Sequence, residues 1–264
     1  LLGFPSGRLR PEIAGLQATK GIEVGHCQLP GWNYSGLEKL PESGLQILSP
    51  RADYADVFVE LSKVQGLKFL TPKSPYGLLG TRNWLKAIEA AMTSPVSFET
   101  AFGERYRQLR RTWRPLRALA AKHRLAFVIP EADLPALGDG RSLEGVPLLP
   151  LVREMGFGID LLLWSPPTDT APMSDPAQAA GIRVRRFSTA EELDRLLCEG
   201  DFSAVYSDVC HDRRLLRNAK SRFSRSSFEP GFDGAVRTLH RLLRICQLPF
   251  HRRYEHLWRN HGLQ

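Results

Sequence analysis

Short apolar runs alternate with amphipathic helical patterns twice along this chain, and that grammar constrains its fold more than any other feature. Strands followed by helices of matching length build parallel βαβ units, so the sequence predicts the α/β class: two Rossmann-like parallel-sheet lobes. In the first, residues 11–20 read as a helix, 22–27 as a strand, 34–40 as a short helix and 45–48 as a buried strand. Residues 53–64 read as a helix with Val57, Phe58, Leu61 and Val64 inward, 68–70 as a strand, and 81–92 as the closing helix. Between these last two lies Ser-Pro-Tyr-Gly-Leu-Leu-Gly-Thr-Arg-Asn-Trp-Leu, a glycine-rich turn in which Gly77 and Gly80 permit close backbone approach and Thr81 is expected to cap the helix.

From 97 to 122, apolar residues recur at steps of three or four with arginines between them, predicting a long helix that joins the lobes. Pro115 is expected to kink or divide it. The second lobe opens with a strand at 125–130 and a glycine-containing loop at 131–145. A helix follows at 148–155, ended by Gly156 or Gly158, then a strand at 159–164 and a Pro, Asp and Thr-rich loop at 165–178. A strand at 182–187, a helix capped by Thr189, a strand at 204–207 and a helix from 234 to about 246 complete it. The domain reading is 1–96, a connecting helix at 97–123, and 124–264.

Composition narrows the function classes. The four cysteines, Cys27, Cys198, Cys210 and Cys246, form no CxxC pair, which argues against a zinc site or a disulfide framework and for a reducing, cytoplasmic setting. No apolar run approaches the roughly 20 residues that cross a bilayer, so no membrane role is expected. The net charge of +8 concentrates after His211, where twelve Lys and Arg face four Asp and Glu. No helix-turn-helix, zinc finger or aromatic single-strand platform accompanies the excess, so solvated helix faces or an acidic partner account for it better than nucleic acid. The chain opens Leu-Leu-Gly-Phe-Pro, like the end of a strand already in progress, and N-terminal sequence is expected to be missing.

Three segments taken in order carry a family resemblance: PYGLLGTRNWLKAI, LVREMGFGIDLLL and FEPGFDGAVRTLHRLL. Their order and spacing resemble the nitrogenase component 1 superfamily, which includes nitrogenase catalytic subunits, cofactor-assembly scaffolds and light-independent protochlorophyllide reductase subunits. The resemblance implies the middle and C-terminal Rossmann-like domains of a three-domain subunit, with the cluster-bearing first domain absent. It also implies a heteromeric complex with a sister subunit, fed electrons by an ATP-dependent iron–sulfur reductase, and an iron–sulfur cluster or tetrapyrrole shared with a partner. The family's metal-ligating cysteine and histidine fall, by this placement, at Ser49 and near Ser221. Neither serine is a donor of the kind iron or molybdenum takes in clusters, so no metal ligand is assigned to this chain.

The expected ligand crevice is formed by strand ends preceding Ser49, Gly77, Glu131 and Asp208, where open α/β sheets place ligands. Arg51 and Arg82 stand beside two of those ends as bidentate partners for a carboxylate. Glu131 and Asp133 read as a solvated loop or as paired acids, Ser207, Asp208 and His211 as a pocket border, and residues 228–231 as a helix start able to cradle an anion. Cys210-His211-Asp212 makes a poor triad, and His251 with Glu255 fits a surface helix better than a metal site. Three functions stay open: a nitrogenase-like oxidoreductase subunit delivering electrons to a bound cofactor or substrate, a non-catalytic scaffold or carrier of the same fold, and a two-lobe nucleotide-dependent transferase.

Overall fold

The computed structural model describes residues 1–4, 9, 12, 15, 38–92, 98–140, 145–166, 181–209 and 212–248. The helix and strand expected at 11–20 and 22–27, apart from Glu12 and Gly15, lie outside the described residues, as do Cys27, Cys210, His211, His251, Glu255 and most of the 165–178 loop. In chain order the elements are β1 (Gln46–Ile47), α1 (Ala55–Ser62), β2 (Phe69–Leu70), α2 (Gly77–Ala91), α3 (Phe98–Ala120), β3 (Arg124–Pro130), α4 (Leu134–Asp139), α5 (Leu148–Met155) and β4 (Gly158–Trp164). There follow β5 (Arg183–Phe187), α6 (Ala190–Glu199), β6 (Ala204–Tyr206), α7 (Arg213–Arg217), β7 (Ser221–Phe223) and α8 (Phe232–Gln247).

The chain divides into two compact units, each drawn from separate stretches of sequence. One comprises Leu1–Trp113, Ala136–Leu151 and Phe228–Arg237; the other comprises Arg114–Pro135, Val152–Ser227 and Thr238–Gln264. In the first unit β1 and β2 pair in parallel, and Leu2 adds a parallel bridge to Leu48. Leu2, Leu40 and Leu48 form a small core against which Phe58, Leu61 and Phe69 pack. Val64, expected inward, is exposed because α1 ends at Ser62 and leaves it beyond the helical register.

α2 buries Leu78, Thr81, Trp84, Leu85 and Ile88, the three-and-four spacing of one helical face. It starts at Gly77 rather than Thr81. Gly77 takes the turn at φ +77°, which a residue with a Cβ adopts at a cost. Thr81 therefore lies within the first turns, fully buried, its hydroxyl donating to the carbonyls of Gly77 (2.6 Å) and Pro75 (3.0 Å). α3 is likewise one helix, with Pro115 inside it on the solvent side. There water can take over the carbonyl that the proline ring leaves without a donor, so the helix is not divided.

The second unit carries a five-stranded parallel sheet in the order β5-β4-β3-β6-β7. Counted from β3, that is the doubly wound order 3-2-1-4-5, in which the winding direction reverses between β3 and β6. The two central strands are buried along most of their length, as the apolar runs LAFVI and IDLLL require. α6 has the full capping box, Thr189 accepting from the Glu192 amide while the Glu192 carboxylate reaches back to the Thr189 amide. Part of the stretch expected as a loop at 131–145 is helical: a 3₁₀ turn at Glu131–Asp133 runs into α4, whose Leu137 is buried. Among the described residues no helix is long and apolar enough to cross a membrane.

Candidate functional site

The carboxyl ends of β3 and β6 flank the winding reversal, and the residues just past them are Glu131 and Ser207–Asp208. Glu131 is not a free acid. Its carboxylate accepts from the Arg186 guanidinium, closest at 2.9 Å, and from the Ser165 hydroxyl. Those hydrogen bonds, Arg186 first and Ser165 next, hold its pKa below the ordinary glutamate value. It thus ties the end of β3 to β4 and β5 as an ion pair, and its partner in the expected acid pair, Asp133, is not engaged with it.

Asp208 is also committed. It accepts from the Tyr206 hydroxyl, from Arg225 Nε at 2.8 Å and from the Arg225 amide at 3.2 Å. Asp212, four residues on, caps α7 and takes a bidentate grip from Arg214, Nε to Oδ1 at 2.9 Å and Nη2 to Oδ2 at 2.7 Å, with Ser207 Oγ donating at 3.0 Å. The Arg214 hydrogen bonds outweigh burial and lower the Asp212 pKa. These groups edge a cavity of about 240 Å³. Ser221 lies elsewhere: it opens β7, paired with Ala204 at the amino end of the sheet, opposite the carboxyl ends that border the cavity. β7 and α7 were not legible as elements, being three and five residues long and largely polar; an aspartate just ahead of Arg-Arg-Leu-Leu is the one signal that a capped helix followed.

In the first unit the structure gathers Ser49, Arg51 and Ser74. All three approach Gly145, where a Cβ would stand 3.0 Å from Ser74 Oγ, 3.3 Å from Arg51 Cγ and 3.8 Å from Ser49 Oγ. Arg51 pairs with Asp53 and lies 4.9 Å over the Tyr54 ring. Arg82 pairs with Glu99 at 3.3 Å and lies 5.3 Å over Tyr106. Both arginines therefore have partners within the chain, and a ligand carboxylate would have to compete with them. Gly80 stands next to the Ser74 carbonyl, 3.4 Å from where its Cβ would be.

Two of the three segments behind the family resemblance meet directly. Tyr76 bridges Pro230 in antiparallel fashion, and the Gly231 amide donates to the Pro75 carbonyl at 2.8 Å. The start of α8, read as an anion cradle, is filled by the chain's own carboxylate: Glu12 Oε1 accepts from the Phe232 amide at 2.6 Å, with Glu12 only 2 % exposed. Gly231 makes room for it at φ +84°, since a Cβ there would sit 2.6–2.7 Å from the Glu12 carboxylate. Gly231→Ala is accordingly expected to cost about 2–3 kcal/mol, the left-handed backbone penalty plus displacement of a buried carboxylate, read as a lower urea midpoint.

Burial raises the Glu12 pKa against the lowering effect of the Phe232 and Glu12 amides, with Asp233 raising it and Arg105 lowering it. A carboxyl whose folded pKa is raised contributes stability that is full below its unfolded pKa and declines as the pH climbs through the folded value. Glu12→Gln, which keeps the acceptor and removes the charge, is expected to melt above the wild type at pH 8, the difference closing by pH 4. Melting curves across that range check it.

Among the described residues no three His, Cys, Asp or Glu side chains converge as a metal site. Cys246, buried, has its thiol pushed up to about 12 by burial, which keeps it out of thiolate chemistry.

No family model matches the chain, and no curated protein matches it. Solved structures do. Nitrogenase Cp1 at pH 5 superposes with a TM-score of 0.61 at 12% identity, over 95% of this chain and 56% of that one. The fold is nitrogenase-like. Nitrogenase Cp1 at pH 6.5 agrees, with a TM-score of 0.62 at 10% identity over 95% of this chain and 58% of that one. The chain thus spans a little over half the length of the nitrogenase chains it matches, and at these identities the likeness is one of fold.

Proposed function

We propose that this chain is a subunit of a nitrogenase-like oxidoreductase, working in the cytoplasm within a heteromeric complex. In this reading a sister subunit supplies the metal ligands, and an ATP-dependent iron–sulfur reductase supplies the electrons. The observation that carries the reading is the nitrogenase-like fold over 95% of the chain, joined to a doubly wound sheet that sets Glu131 and Asp208 at its winding reversal.

An iron–sulfur cluster does not fit the described residues as a resident group. Ser49 is a buried hydroxyl beside Arg51 and Ser74, not a thiolate, and no convergent donor set stands near it. The residues proposed to face a ligand are, in the first unit, Ser49, Arg51, Gly77, Gly80 and Arg82, and, separately in the second, Glu131 and Asp208; Thr81, whose buried hydroxyl is held by the Gly77 and Pro75 carbonyls, and Ser221, at the amino end of its sheet, are left out. What the first set can do is donate: Ser49, with the neighbouring Ser74, offers hydroxyls, and Arg51 offers a guanidinium that can exchange Asp53 for a ligand carboxylate such as a tetrapyrrole propionate. Ser49, where the resemblance places a thiolate, favours one second reading: a non-catalytic scaffold or carrier of the same fold.

Anaerobic treatment of the purified chain with ferrous iron and sulfide tests the ligand assignment. The reading expects no stoichiometric cluster and no visible absorption band after desalting. A stable cluster on the isolated chain would overturn it.

A further inference from the structure

The cavity at the carboxyl end of β6 has a wall of unusual balance, and it lies wholly within the second unit. Its floor is apolar, made by Val128, Leu197 and Leu215. Its polar edge holds two carboxylates, yet their acceptor capacity is largely spent. Asp212 takes two bonds on each oxygen, from the Arg214 amide and Nε on Oδ1 and from Arg214 Nη2 and Ser207 Oγ on Oδ2. Asp208 takes Tyr206 and Arg225 Nε on one oxygen and the Arg225 amide on the other.

The donors are in surplus. A guanidinium carries five N–H groups, and Arg214 gives two of them to Asp212 while its side chain stays 52% exposed at the cavity edge. Among the described residues Asp208, Asp212 and Arg214 line the cavity, and Arg225 pairs with Asp208 from outside that lining. A cation would meet carboxylates that each already hold an arginine, a neutral apolar molecule would leave the spare guanidinium N–H groups unused, and an acceptor-bearing anion with an apolar body would meet both the guanidinium and the apolar floor.

We propose that this cavity binds a small organic carboxylate, its carboxylate on Arg214 and its apolar body against Val128, Leu197 and Leu215. The volume, below the roughly 300 Å³ at which drug-sized sites begin, limits the ligand to a compact acid. The proposal does not rest on the nitrogenase-like reading and stands or falls without it.

Calorimetric titration of the full chain with four probes tests it: phenylacetate, 2-phenylethanol, phenethylamine and inorganic phosphate. The expected result is saturable one-to-one binding of phenylacetate, with each other probe at least tenfold weaker. Arg214→Gln should weaken phenylacetate at least tenfold and Arg214→Lys less. Val128→Phe, which fills the floor without touching the ion pairs, should abolish binding while the protein still melts cooperatively. Because Arg214→Gln also unpairs Asp212 and could fail to fold, Val128→Phe and the probe series decide the matter alone. Phenethylamine or phosphate binding as tightly as phenylacetate, no binding of phenylacetate, or full binding by Val128→Phe would each overturn the proposal.

Discussion

Phe127→Ala is expected to remove about 3–5 kcal/mol of stability, the usual cost of truncating a buried aromatic without collapse of the space it leaves. Phe127 is wholly buried at the middle of β3 and anchors an aromatic triangle across three strands. Its ring lies 5.6 Å from Tyr206 in a stacked arrangement and 5.6 Å from Phe223 edge-on, while Tyr206 and Phe223 are 5.7 Å apart, also edge-on. Each such pair adds about 0.5–1.5 kcal/mol beyond the area it buries. The triangle also supports the winding reversal, because the Tyr206 hydroxyl holds Asp208. Urea unfolding measures the loss, and a loss below about 1 kcal/mol would mean the site relaxes around the deletion far more than a close-packed sheet should.

Arg124→Met is expected to cost a similar amount for an electrostatic reason. Asp160 is 1% exposed in the middle of β4, and its partners are Arg124 Nε at 2.5 Å and, more distantly, Arg185 at 3.7 Å. Removing the near partner leaves a buried carboxylate with a long contact only, a change that typically costs about 3–5 kcal/mol. Replacing both members, Arg124→Met with Asp160→Leu, should recover most of the loss, because a well-packed apolar pair can stand in for a buried ion pair. Equal destabilisation by the single and double variants, measured by urea unfolding, would show that Arg124 acts through its hydrogen bond to the Ile159 carbonyl instead.

The sequence made the central strands and α6 readable because each announces itself locally: IDLLL is a buried parallel strand by a run that is apolar but for Asp160, and Thr189 with Glu192 is a capping box. It misled where a local cue had two uses. Thr81 precedes Trp84 and Leu85 as a cap would, yet Gly77 begins the helix and Thr81 turns its hydroxyl onto carbonyls of the preceding turn. The pairing of Arg51 with Asp53 and of Arg82 with Glu99 could not be read, since the choice between an internal carboxylate and a ligand is made by tertiary distance. Glu12 gave no signal at all: its partner Phe232 is 220 residues away. Asp160 left a faint one, a lone acid in an apolar run.

The measurement that bears most directly on the account is anaerobic co-purification of this chain from native extract, with protein identification and iron and sulfide analysis of the isolated material. The account predicts a cysteine-bearing sister subunit in fixed ratio, with stoichiometric iron and sulfide that leave the chain when the partner is stripped away. Recovery of the chain alone and free of iron would contradict it.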